Sequence, residues 1–246
     1  MKEINPSNYV LLEGRDYGSS SSPDLLICKY RLSADERVKQ GARLIGVNVK
    51  NGAKENNGRG YIIPTNWTET MGLLDWLGSS APSPRQFWNF YELLKSKKAF
   101  DGNGIRIDEG EIENILDEML GIRMPHRLEH LDAKFELKNG KMYIHSGHRI
   151  DHNNDGKLFA EKTEQLQLYL TEQVNAVMKF NQQGMPTQKS KSIEIVPGEN
   201  IGYNPPKTNS VAAVGVVLGT TPFMACDGAS FWHANIGVRE VRKLQK

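Results

Sequence analysis

The sequence predicts an α+β fold, with a mixed or mostly antiparallel sheet built from N- and C-terminal strands around a helical middle. Three observations carry this. Strand-like runs fill the first and last sixty residues, capped amphipathic stretches fill the centre, and Asn139-Gly140 between two alternating runs marks a hairpin. Two small α/β domains are the alternative. A single unit over 1–246 is preferred, with a subdivision into 1–180 and 190–246 where periodicity lapses near 181–192.

From the start of the chain, residues 9–12 and 25–31 read as strands separated by a glycine- and serine-rich turn. Ser33 and Glu36 have capping-box spacing and open a short helix ending near Gly41. Residues 44–49 then alternate like a strand, and Asn51-Gly52 and residues 57–60 are turns. Residues 67–77 form a helix closed by Gly78.

Ser83-Pro84-Arg85-Gln86 places a capping serine, proline at the first helical position and glutamine at the third. Phe87, Phe90, Tyr91 and Leu94 follow on one helical face. Asp108 opens another helix, with Ile112, Ile115, Leu116, Met119 and Leu120 on its buried side. The Asn-Gly hairpin sets Leu137 opposite Met142, Phe135 opposite Ile144 and Lys134 opposite His145. Residues 161–180 read as an amphipathic helix carrying Leu166, Tyr169, Leu170, Val174, Val177 and Met178. Residues 193–196, 211–218 and 238–241 return to strand character, the middle run being apolar enough for burial on both faces.

Lysine and arginine total 31 and aspartate and glutamate 29, a net charge of +2, which excludes coating of nucleic acid by bulk charge. No apolar run approaches the ~20 residues of a membrane span. The first residues lack the apolar core of a signal peptide, so a cytoplasmic or virion location is expected. Two cysteines, Cys28 and Cys226, cannot build a disulfide framework and suit a reducing compartment. Phosphate-binding glycine loops and Gly-x-Ser-x-Gly elbows are missing, so the sequence points to no organic cofactor.

Five of the six histidines fall in 126–152: His126, His130, His145, His148 and His152. On a helix, His126 and His130 share one face, as paired zinc or manganese ligands do. Their order, His-Arg-Leu-Glu-His, departs from the zinc-peptidase motif, and a solvated loop rich in His, Asn and Asp is the plain alternative. Asp151, Asn153 and Asp155, followed by Gly156 and Leu158, match the front half of a calcium loop, while Lys162 stands where the closing carboxylate belongs. Glu136-Leu137-Lys138 is a Glu-x-Lys on a strand, the pairing of a magnesium-dependent nuclease, with Asp117 or Asp132 as the partner acid. Alternating charge on a solvated strand explains it equally well.

Charge is segregated along the chain. Residues 101–122 hold seven acids against one base, and residues 179–246 hold eight bases against four acids. Arg239, Arg242, Lys243 and Lys246 concentrate positive charge near the end, where they would meet nucleic acid or an acidic partner. The favoured function is a non-enzymatic structural subunit of a larger assembly, such as a virus or phage virion, meeting copies of itself or other subunits through complementary charge. The alternatives are a metal-dependent hydrolase or nuclease built on 126–155, with zinc or calcium, and a nucleic-acid-binding accessory protein.

Overall fold

The computed structural model describes residues 4–16, 21–54, 58–64, 66–120, 127–151, 153, 156–196, 198–217, 221–228 and 236–244. The elements run β1 (Tyr9–Leu12), β2 (Arg15–Asp16), β3 (Ser21–Ser22), β4 (Leu25–Arg31), α1 (Glu36–Leu44), β5 (Val49–Lys54), β6 (Gly60–Pro64), α2 (Trp67–Trp76), α3 (Pro84–Lys95) and α4 (Glu109–Leu120). They continue with β7 (Arg127–Lys138), β8 (Lys141–Asp151), β9 (Lys157–Gln165), β10 (Val174–Val177), β11 (Asn200–Asn204), β12 (Ser210–Val217), β13 (Thr221–Gly228) and β14 (Ile236–Lys243).

The fold is α+β, as expected. A ten-stranded sheet has the order β1-β4-β14-β7-β12-β13-β11-β10, and β8 and β9 extend it from β7. Pairing is antiparallel except where β14 meets β7 and β11 meets β13. Strands from both ends of the chain therefore share one sheet. None of the described helices is long and apolar enough to cross a membrane.

Alternation along the strands divides the core between two layers. On β12, Ala212 and Val214 join a cluster with Phe87, Phe90, Leu94, Ile112 and Ile115 of α3 and α4. Val211 joins a second cluster with Trp67, Met71 and Leu74 of α2 and Val38 of α1. Helices thus cover both faces. The helix starts are formed by side chains. Ser83 and Gln86 make the capping box at α3, Asp35 caps α1 and Asn66 caps α2. The hairpin has the expected register, with Asn139 and Gly140 both at positive φ.

Four local expectations are corrected. Residues 161–180 are not a helix. β9 runs to Gln165, Leu168 stands at φ 49°, and irregular chain leads to β10. The apolar residues that looked helical, Leu166, Tyr169, Leu170, Val174 and Met178, pack on the α3–α4 cluster from extended and looped backbone. Tertiary pairing with β8 overrides the local pattern. Residues 127–130 are likewise strand, because β7 has β12 on one side and β14 on the other. Residues 44–49 are the end of α1, a turn with Gly46 at φ 71°, and the first residue of β5. Residues 193–196 form a loop tied by Asn200, which accepts from the Val196 amide and donates to the Glu194 carbonyl.

Loop placement also depends on aromatic anchors. Trp88 of α3 donates to the Gly184 carbonyl at 3.1 Å and stacks on Phe180 at 4.2 Å. Gly184 lies against the α3 start so closely that a Cβ would come within 2.3 Å of the Arg85 nitrogen, and its φ of +82° suits glycine alone.

At the sheet centre, the buried Arg239 of β14 donates Nε and Nη2 to the two oxygens of Glu129 on β7, at 3.0 and 2.6 Å. Its Nη1 donates to the Cys28 and Lys29 carbonyls of β4, where the β14–β4 register shifts. Glu129→Ala leaves the guanidinium buried without its counter-charge and is expected to cost about 3–5 kcal/mol in urea unfolding. Glu129→Leu combined with Arg239→Met, which buries no charge, is expected to be less destabilised than Glu129→Ala alone.

Candidate functional site

β7 has different neighbours on one edge at its two ends. Residues 128–130 pair with 236–238 of β14, and residues 134–138 pair with 141–145 of β8. The sheet forks between them at Asp132. The α2–α3 connection fills the base of the fork: the Asp132 amide donates to the Pro82 carbonyl at 2.9 Å, and Ser80 exchanges both backbone hydrogen bonds with Val241.

Beyond the fork, the edge of β8 opposite β9 is held by a side chain of β7. Asp132 Oδ2 accepts from the Gly147 and His148 amides at 2.8 and 3.2 Å, and Oδ1 meets His148 Nδ1 at 2.5 Å. Gly147, at φ +71°, reverses the strand's alternation. Ile144 therefore packs in the α3–α4 cluster, while the His148 ring turns the other way and meets the edge of Trp67 on α2 at 4.7 Å. Trp67 is fixed by donating to the Leu131 carbonyl at 2.8 Å.

The fork opens into a cleft of about 850 Å³ whose walls include Ser80, Asp132, Ser146, Arg149, Lys162 and Arg242. Asp132 is buried and is one of the residues that line this cleft. Three cations of the wall are paired locally. Arg149 meets Asp75 at 3.2 Å and donates to the Ser79 carbonyl, Lys162 meets Glu164 at 2.8 Å, and Arg242 is engaged by Glu240 and the Leu77 carbonyl. Ile4, Leu25, Ile144 and Val241 add apolar surface.

The histidines of the sequence-defined segment are separated by this geometry. His130 is buried on β7, its Nδ1 3.0 Å from the Thr70 hydroxyl of α2. His145 on β8 has Nδ1 2.9 Å from Thr163 Oγ1 and Nε2 3.2 Å from Glu136 Oε2. His148 is engaged by Asp132. Among the described residues, no three His, Cys, Asp or Glu side chains stand together as a metal centre. Asp151 ends β8 and Asn153 follows in the turn, where the Asn153 amide donates to Asp151 Oδ1 at 2.9 Å. Two strands flank that turn, not the two helices of a calcium-binding hand. His126, His152, Asp155 and Lys246 lie outside the described residues. Of the Glu-x-Lys pair, Lys138 and Glu136 meet each other at 2.8 Å.

Segregated charge along the chain becomes paired charge in space. Arg239 is fully buried on Glu129, Arg31 meets Glu118 at 3.0 Å within the core, and Lys29 meets Glu111 at 2.8 Å. Lys97 bridges Glu109 and Glu113 at the surface. Of the four basic residues near the end, Arg239 is interior, Arg242 is half-buried, and Lys243 is exposed.

Several site residues had no signal in the sequence reading. Arg149 and Asp75 are brought together from β8 and α2, and Thr163 belonged to the expected helix. For Asp132 the sequence suggests only a metal-ligating acid, beside the histidines or in a nuclease site. Local sequence marks none of them, because each acts through a partner far along the chain. No family model, curated protein or solved structure matches this chain.

Burial holds the His130 imidazole neutral, with its pKa pushed down to about 3. In the unfolded chain the same ring gains a proton below about pH 6.5, so protonation favours unfolding as pH falls from about 6.5 towards about 3. Stability is expected to drop by about 2 kcal/mol between pH 7 and pH 5 from this residue alone. His145, also lowered by burial, adds a contribution of the same sign. Denaturant melts of His130→Asn across that range are expected to show a shallower slope. An unchanged slope would place the pH dependence elsewhere.

Proposed function

We propose that the chain is a ligand-binding protein whose site is the cleft at the sheet fork, and that its ligand is a small, uncharged, polar molecule with an apolar face. The observation that carries this is a cleft of roughly 850 Å³ in the sheet with the buried Asp132 among its lining residues. Clefts of this size are common ligand sites when a few fixed polar groups stand among apolar ones. Asp132 is oriented before any ligand arrives, since two backbone amides and an imidazole engage it. Preorganisation of this kind lowers the ordering cost of binding. The charge class follows from the wall. Arg149, Lys162 and Arg242 each have a carboxylate partner, which offsets most of the positive charge of the wall and favours a neutral ligand over a phosphate, although Arg85 and Lys243 also line it.

In thermal-shift and NMR titrations, neutral polyhydroxylated compounds are expected to raise Tm by several degrees, with shifts centred on Ser80, Ser146 and Arg149. Ser146→Trp, which fills the cleft from its wall, is expected to abolish the response. Failure of every neutral compound, or an unchanged response in Ser146→Trp, refutes the reading. A response to phosphates alone would overturn the ligand class.

A second reading, a subunit of a larger assembly such as a virus or phage particle, is favoured by a separate observation. Leu44, Ile105, Leu168 and Ile193 are 67, 64, 85 and 94% exposed, each an apolar side chain that burial against a partner would remove from water. Light scattering is expected to give a mass above that of one chain at high concentration. Leu44→Asp with Leu168→Asp is expected to return it to the monomer. A monomer at all concentrations removes this reading.

A further inference from the structure

Three adjacent strands bring a hydroxyl, an imidazole and a carboxylate into one line. Thr163 of β9 lies directly opposite His145 of β8, and Glu136 of β7 stands diagonally beyond it, one register step from Lys134, which faces His145. Thr163 Oγ1 is 2.9 Å from His145 Nδ1, and His145 Nε2 is 3.2 Å from Glu136 Oε2. Thr163 is exposed, while the His145 side chain keeps only 15% of its surface in water. Nucleophile, base and orienting acid in this order are the general signature of hydroxyl activation.

We propose that Thr163, His145 and Glu136 form an acyl-transfer site, with Thr163 as nucleophile, His145 as general base and Glu136 as the positioning residue, acting on small exposed esters. The site is independent of the fork cleft. Thr163 Oγ attacks the ester carbonyl and its proton passes to His145 Nδ1. Collapse of the adduct breaks the acyl C–O bond, the departing alkoxide takes that proton, and the acyl group stays on Thr163. Water then attacks the acyl-threonine. Its proton passes through His145 to the threonine oxygen, which releases the free acid and restores the site.

The surroundings suit these roles. Nδ1 can accept from the threonine hydroxyl only in the tautomer that carries hydrogen on Nε2, and the Glu136 carboxylate beside Nε2 favours that tautomer. Nε2 is buried without an aligned hydrogen bond, so its contact with Glu136 is mainly electrostatic. Burial lowers the His145 pKa against the opposing pull of Glu136, which keeps the ring neutral and basic near pH 7. Lys138 of β7 and His148 of β8 disfavour protonation of the ring, and Lys134 of β7 stands opposite it in register.

The test uses p-nitrophenyl acetate with the full chain and locates the acetyl group by mass spectrometry. Acetylation of Thr163 is expected, with release of p-nitrophenolate roughly 10²-fold faster than in Thr163→Val or His145→Gln. Thr163→Ser, which keeps the hydroxyl, is expected to retain the reaction. Glu136→Gln is expected to slow it and to shift the pH midpoint of the rate downwards, a change that loss of a merely structural contact would not produce. Acetyl groups found only on lysines, or a Thr163→Val chain as reactive as the parent while folded by circular dichroism, overturn the proposal.

Discussion

The architecture depends on the carboxylate of Asp132. β7 has one edge and two partners along it, β14 at residues 128–130 and β8 at residues 134–138. Any strand that changes partner leaves unpaired backbone donors at the change, and buried donors must be satisfied. Asp132 does this by standing in for the missing strand, taking the Gly147 and His148 amides on one oxygen. The backbone amide of the same residue is spent on the Pro82 carbonyl, which brings in the α2–α3 connection. One residue therefore joins β7, β8 and the connection between two helices. The cleft follows because the wedge is only as thick as an extended chain and leaves part of the fork open.

The same economy governs charge. A chain with a net charge of +2 could hold its acids and bases apart, and the order of residues along it suggests that it does. In three dimensions the acidic helix α4 lies over the sheet that contains the basic strands. Glu111 and Glu118 meet Lys29 and Arg31 of β4, and Arg239 of β14 meets Glu129 of β7. Burying such pairs is worthwhile only when every donor and acceptor is satisfied, which the bidentate geometry of Arg239 and its two carbonyl partners achieves. Complementary charge thus joins segments of the one chain.

How much was legible depended on the range of the interactions involved. The α3 capping box, the β7–β8 hairpin register and the span of β4 are set by residues within a few positions of one another, and each was readable. The stretch 161–180 was not. Its apolar spacing fits a helix, and only the long antiparallel partner β8 makes β9 a strand. That one misreading also concealed Thr163, because its place opposite His145 exists only once β9 is paired. Asp132 was hidden for a related reason: its role arises where two long-range pairings meet, and nothing in its own neighbourhood marks a fork.

The histidine cluster shows why density in sequence is weak evidence for a shared site. His130 belongs to β7, whereas His145 and His148 lie three residues apart on β8. Each ring then meets a different chemistry: Thr70 beside His130 in the core, Thr163 and Glu136 beside His145 at the surface, and Asp132 and Trp67 around His148 behind the cleft. A metal needs its ligands to converge, whereas the described histidines each have separate partners. What the cluster supplies instead is one imidazole per environment. Burial depth then decides what each can do. Among the described rings, His130 is sealed and serves packing, His148 engages the buried Asp132, and His145 lies between a carboxylate and an exposed hydroxyl.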